Sequence, residues 1–435
     1  MENVKNLFSF IENSPTAFHA CANLCKALED SGRIRLTEGE KWELKPGHGY
    51  FVTRNMSSVI AFDIPEGEAD SFRMIAAHSD SPAFKVKENA ELSVRGKYTQ
   101  LNVEKYGGML FAPWFDRPLS VAGRVVVRTD KGMEARLVDV DRDLLVIPNV
   151  AIHMNREVND GFKYNAQTDM MPLFGDETAK DGFRKLIADS AGVSEEDILG
   201  CDLFLYPRIK GCVIGHEGEY MLCPRLDDLE CAFAGLTAFL AAKRPEKGVN
   251  MLCVFDNEEV GSGTKQGADS TFLCDVVKRI SISLGRGEEE LCRALAASFM
   301  LSADNAHAVH PNHPEKTDAE NCTFMNEGIV IKFNANQRYT TDAVSAAFFH
   351  KLLADKGIPC QHFANRSDVA GGGTLGNISG SHVSINTVDI GLAQLAMHSP
   401  CETAGTKDVD HMIGGMTAFY DSRVALGRDG EFFLD

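Results

Sequence analysis

The stretch VFDNEEVGSG, residues 254–263, decides how the rest of the chain is read. An apolar run (Val249, Met251, Leu252, Val254, Phe255) leads into it and reads as a buried strand, and a glycine-rich turn follows. Glu258 and Glu259 therefore sit where a parallel strand ends, the usual place for ligands in an open α/β sheet. Neighbouring side chains there point in different directions, so one carboxylate can hold a metal while the other handles a proton. Taken alone, the pair fits a solvated acidic loop better, and it is the remainder of the chain that reverses this reading.

Working outward, the region after residue 212 alternates long helices with apolar strands. Helices are expected over 229–242, 288–299, 342–356 and 410–426, and strands over 249–255, 329–333 and 384–390. That alternation predicts a mostly parallel sheet with helices on both faces. Two short helices open the chain, with Ser14 as N-cap and Pro15 at the first helical position. Strand-like runs follow at 50–53 and 58–62, and FRMIAA runs directly into His78-Ser79-Asp80. Between about 91 and 211 the texture changes to short alternating runs (VAGRVVVRT, EARLVDV, DLLVIPNVAIHM) with one helix near 183–191. The expected architecture is an α/β domain made of residues 1–90 and 212–435, interrupted by a β-rich insertion over 91–211.

Four more candidate ligands stand just past apolar runs: His78 in AAHSDSP, Asp227 in CPRLDDLE, Asp304 in LSADNAH and His398 in LAMHSP. With Glu259 they make two imidazoles and three carboxylates, a set that suits Zn²⁺ or a similar divalent ion, Co²⁺ and Mn²⁺ included. If one carboxylate bridges, these five residues serve two ions. Asp80, two residues after His78, is placed to accept the other ring N–H and fix its tautomer. Each signal by itself also fits an ordinary structural residue.

Composition narrows the function classes. A net charge of −18 leaves no basic stripe to release phosphate counterions, which argues against nucleic acid, and an acidic surface disfavours anionic membranes. The 12 cysteines are scattered, with no CxxC pair, and no run reaches membrane-spanning length. The first residues carry no basic leader before an apolar core. A reducing cytoplasm is the expected location.

AAHSDSP, KYGGMLFAPWFDRPLSVAGRV, CPRLDDL, FDNEEVGSG, LSADNAHAVHPN, NANQRYTTDAVS and LAMHS, in this order, make the chain resemble the aspartyl aminopeptidase family of dinuclear zinc metallopeptidases. The resemblance implies the dinuclear-zinc exopeptidase fold. It implies that His78 and Asp304 hold one metal, Glu259 and His398 the other, and that Asp227 bridges them. Glu258 becomes the general base, and the Asp227–Asp228 peptide bond is expected to be cis. Two ions roughly 3.5–4 Å apart can share one water and bring its pKa towards neutrality. Glu258 would take its proton as the bridging hydroxide attacks, then hand it to the departing amine. A metal that binds the substrate's free N-terminus makes the enzyme an aminopeptidase.

The resemblance further implies that His153 reaches the active site of a partner subunit and steadies the oxyanion there. A second family histidine, four positions earlier, is Asn149 here. Lys332, a cation inside the apolar run IVIKF, is a snorkelling lysine by its composition alone. By resemblance it lies near the pocket for the substrate's first side chain and favours Asp or Glu. The implied assembly is a dimer built through the insertion, six of which form a tetrahedral dodecamer. Two alternatives stay open: a dinuclear aminopeptidase of broad or neutral specificity, and a non-enzymatic shell or cargo protein that retains the fold.

Overall fold

The computed structural model describes residues 1–428 and 431–434, which divide into two compact units. The first comprises residues 1–80, 211–397 and 402–435; the second comprises 81–210 and 398–401. The strand Ala83–Val94 runs across the boundary expected at residue 90, so the chain leaves the first unit ten residues earlier, directly after Asp80.

A nine-stranded sheet organises the first unit. Its spatial order is Ile34–Leu36, Gly49–Arg54, Ser58–Asp63, Val249–Phe255, Phe72–His78, Phe299–Ala303, Asn386–Gly391, Ile329–Phe333 and Cys360–Ala364. The four strands 249–255, 72–78, 299–303 and 386–391 run parallel. Both faces of this centre are buried, as their nearly unbroken apolar sequences require. Side chains alternate between two cores. Phe51, Ile75, Leu252, Val254 and Leu301 face one, and Tyr50, Val52, Met74, Met251, Cys253 and Met300 face the other. Helices cover both. Ala17–Asp30, Leu226–Ala241, Ala343–Asp355 and Asp408–Asp421 contribute to the first core, and Phe272–Ser283 contributes Phe272, Val276, Val277 and Ile280 to the second. The expected mostly parallel sheet, with helices on both faces, is what forms.

The local differences have local causes. The helix expected from Ser14 starts at Ala17 with Thr16 as N-cap, because the Ser14 hydroxyl accepts instead from Asn23 Nδ2 at 3.0 Å. Phe272–Ser283 was not among the expected helices. Its β-branched residues (Val276, Val277, Ile280, Ile282) lower helix propensity, and only tertiary burial of its apolar face stabilises it. Asp342 caps Ala343–Asp355 by accepting from the Val344 and Ser345 N–H groups at 3.0 and 2.8 Å.

The second unit is built on a six-stranded antiparallel sheet in the order Gly132–Asp139, Leu119–Thr129, Ile198–Pro207, Ala83–Val94, Tyr98–Tyr106, Leu173–Asp176. Its core gathers Trp114, Val121, Val125, Leu203 and Leu205 under the helix Phe183–Ala191, which ends on the left-handed Gly192. The run DLLVIPNVAIHM does not continue as a strand. It makes isolated bridges at Leu145, Val146 and Ile147, and Pro148 then removes a ladder donor. Beyond it Val150, Ile152 and Met154 stand 53%, 49% and 81% exposed in a turn-rich segment.

Candidate metal centre

Three strand ends of the first unit converge on one polar cluster. His78 closes the strand Phe72–His78 beside Phe255, its parallel partner, and Asp304 follows Phe299–Ala303. Glu258 and Glu259 form a single 3₁₀ turn just past Val249–Phe255, framed by left-handed Asn257 (φ 63°) and Gly261 (φ 92°). Asp227 enters from the start of Leu226–Ala241, after left-handed Arg225, and its bond to Asp228 is cis. His78, Asp227, Asp228 and Asp304 each offer one ligand atom within 4.8 Å of the others. His78, Glu258 and Glu259 form a second such group. His78 Nε2 lies 3.3 Å from Asp227 Oδ1.

Asp80 holds this arrangement together. Its backbone carbonyl lies 3.1 Å from His78 Nδ1, and its Oδ1 3.4 Å from the same nitrogen. Its two carboxylate oxygens also accept the backbone N–H groups of Glu258 and Glu259, at 3.1 and 3.2 Å. One buried carboxylate therefore orients the imidazole and the two glutamates together.

Burial and mutual repulsion dominate the electrostatics. Burial pushes the Glu258 carboxyl up to about 8, with His78 opposing and Asp304, Asp80 and Asp227 adding. Burial and Asp227 raise Glu259 well above the carboxylate range, and burial does the same for Asp228 against the pull of His78. Asp304 is raised by burial although Lys332 lowers it. Burial would lower His78, but Asp228, Asp227 and Asp80 carry its pKa well above the imidazole norm. Five acids crowded round one imidazole are a donor set that a divalent cation stabilises, and carboxylate with imidazole nitrogen matches zinc.

The remaining expected residues lie as follows. Lys332 is buried in its strand; its Nζ donates to the Asp304 and Asn305 carbonyls at 2.8 and 3.2 Å and stands 3.9 Å from Asp304 Oδ2. His398, with φ 67°, opens the segment 398–401 that belongs to the second unit, in the turn between the strands Ala393–Leu395 and Glu402–Gly405. His153 is exposed in the turn-rich segment after Pro148, not in a strand. Asn149 is tethered to Asp116, which accepts from its backbone and side-chain nitrogens at 2.9 and 2.7 Å.

Sequence reasoning missed Asp228 as a member of the cluster. Its Oδ2 accepts the His78 N–H at 3.1 Å, and the Asp-Asp doublet was the available signal. It also missed Asn305, which follows Asp304 within LSADNAH, and Gln394 and Glu402, which stand in none of the quoted motifs.

The family model described as aminopeptidase I zinc metalloprotease (M18) matches residues 10–420. The chain is 46% identical over 429 residues to the probable M18 family aminopeptidase 2 of Clostridium acetobutylicum, covering 97% of this chain and 99% of that protein. It superposes on the solved chain of the Ape4 and Nbr1 complex with a TM-score of 0.93 at 35% identity, covering 96% of this chain and 85% of that one. With the S. cerevesiae mApe1 dodecamer the TM-score is 0.84 at 26% identity, covering 96% of each chain. The zinc-compatible donor set at the strand ends and a family match across nearly the whole chain lead to one assignment: this chain belongs to the M18 family of aminopeptidase I zinc metalloproteases and is a metalloaminopeptidase.

Proposed function

We propose that the enzyme removes acidic N-terminal residues from peptides at a centre of two divalent ions, zinc in preference to Co²⁺ or Mn²⁺. His78 and Asp304 would hold one ion, Glu259 and His398 the other, with Asp227 shared. The observation that carries this reading is the convergence of His78, Asp227, Asp228 and Asp304 within 4.8 Å, with the Glu258–Glu259 turn beside them. His398 enters by its place in a short turn anchored at both ends by strands of the first unit.

When bound, such ions polarise a scissile carbonyl and make water acidic enough to attack it. Glu258 accepts the water's proton and returns it to the leaving amine, while Asp80 keeps both glutamate backbones in register for that transfer. Lys332 puts a positive charge beside Asp304, which supports a preference for an acidic first side chain. Exposed Val150, Ile152 and Met154 around His153 support docking of this segment on a second copy, where His153 would donate to the developing oxyanion. The dodecameric relative supports a tetrahedral assembly of six such dimers. No described helix is long and apolar enough to cross a membrane, and all 12 cysteines are free thiols, which supports a cytoplasmic location.

The test is turnover of chromogenic Asp, Glu, Leu and Lys substrates by protein whose metal content is known from elemental analysis. Fast Asp and Glu cleavage at two ions per chain is expected. Equal rates on Leu would replace the acidic preference by broad specificity, and full activity without metal would end the metal reading.

A further inference from the structure

Behind the cluster, three uncharged or acidic side chains that are not candidate ligands join the two backbones carrying Asp227 and Asp304. Glu402 is 2% exposed, Gln394 1% and Asn305 3%. Glu402 Oε2 accepts the Asp227 N–H at 3.0 Å. That N–H belongs to the first turn of Leu226–Ala241, where no intrahelical carbonyl can accept it, so the carboxylate supplies its partner in a charge-assisted bond. Glu402 itself is fixed at the start of a strand, paired with Cys223. Its Oε1 faces Gln394 Nε2 at 3.5 Å, and Gln394 Oε1 accepts from Asn305 Nδ2 at 3.1 Å.

The Asn305 amide is held in one orientation. Its Nδ2 faces three acceptors, the Leu226 carbonyl, Glu230 Oε2 and Gln394 Oε1, at 3.1–3.2 Å. Its Oδ1 accepts from the Cys231 thiol and the Leu392 N–H, both at 3.3 Å. A flipped amide would set oxygen against three acceptors. The neighbouring Asp304 has little freedom. Its N–H bonds the Ile390 carbonyl at 3.0 Å, its own carbonyl takes Lys332 Nζ, and a Cβ at Gly391 would collide with that carbonyl.

We infer that Glu402, Gln394 and Asn305 form a buried relay that sets the position of Asp227 relative to Asp304, and so determines how tightly the centre holds metal. All three are positioning residues. The inference rests on the proposed reading of Asp227 and Asp304 as ligands. The physical reason is that a shared carboxylate serves two ions only within a few tenths of an ångström, and outer partners of ligands typically change metal affinity 10–100-fold.

The experiment measures Zn²⁺ affinity and stoichiometry by competition with a chromophoric chelator. It compares the full-length wild type with Gln394→Leu, Glu402→Gln, Asp227→Asn and Val277→Ala, the last a core truncation in a helix away from the cluster. Gln394→Leu and Glu402→Gln should bind about 10–100-fold more weakly, while Val277→Ala keeps wild-type affinity despite lower thermal stability. If Gln394→Leu does not fold, the nearly isosteric Glu402→Gln carries the test. Wild-type affinity in the relay variants, or an equal loss in Val277→Ala, overturns the relay. A wild type that binds fewer than two ions, or an Asp227→Asn variant that binds as tightly, overturns instead the two-ion reading beneath it.

Discussion

Replacing Asp80 by Asn perturbs the centre without touching any candidate ligand. Asp80 receives two backbone N–H groups, from Glu258 at 3.1 Å and Glu259 at 3.2 Å, with its Oδ1 3.4 Å from His78 Nδ1. Asparagine keeps one acceptor and turns an NH₂ towards the other N–H, so one charge-assisted bond is lost outright. Such a bond is worth about 1.5–3 kcal/mol. At about 1.4 kcal/mol per decade that is a ceiling of roughly 10- to 150-fold on the loss from metal binding, reached if the glutamate turn takes its productive place only when metal is bound. Outer carboxylates at metal sites generally fall within about 10–100-fold. Asp80→Ala, which loses both bonds, should fall further. The assay is zinc affinity by chelator competition, together with kcat on an Asp or Glu substrate under saturating metal. An Asp80→Asn enzyme within about twofold of wild type in both would refute the claim that Asp80 holds the two glutamates in place.

The adjacent glutamates should separate by role: Glu258→Gln keeps metal occupancy and loses several orders of magnitude in kcat, whereas Glu259→Gln lowers occupancy, as read by elemental analysis and initial rates. Exhaustive chelation should abolish activity while circular dichroism retains the helical signal, because the apolar cores on both sheet faces do not depend on ligands to pack. Lys332→Met should cost turnover on Asp and Glu substrates at least tenfold more than on Leu; an equal loss on all would confine Lys332 to gripping the 304 and 305 carbonyls. If His153 completes a neighbouring site, His153→Ala and Glu258→Gln chains dissociated and reassembled together should recover roughly a quarter of wild-type activity. That figure follows from random pairing and one working site per mixed dimer, with additive sites. No recovery after proven exchange would return His153 to its own chain.

Much of this protein is legible in one dimension because its central strands are buried on both faces. Short apolar runs such as MLCVF and MIAA, bounded by turn signals, read as interior strands, and in a parallel sheet the residues just past their ends gather at one edge. That is why His78, Asp304 and the Glu258–Glu259 pair could be picked out from their positions as candidates, while their roles came from the family resemblance. The existence of the longer helices followed from periodicity, except at Phe272–Ser283, where β-branched residues gave no propensity and only burial decided; the short helices Ala166–Asp169 and Leu375–Ser379 were not expected either. What the fold alone decided is everything made between distant residues. Asp228 meets the His78 N–H across 150 positions, Asp80 grips the glutamate turn across 178 and 179, and Glu402 meets the Asp227 N–H across 175. Asp80 and Asp228 stand beside candidate ligands in the sequence and Glu402 carries no local signature, but in no case does the sequence show which distant group is met. Each hydrogen bond exists because sheet register and loop path bring a donor and an acceptor to one point, and that distance is a property of the folded chain.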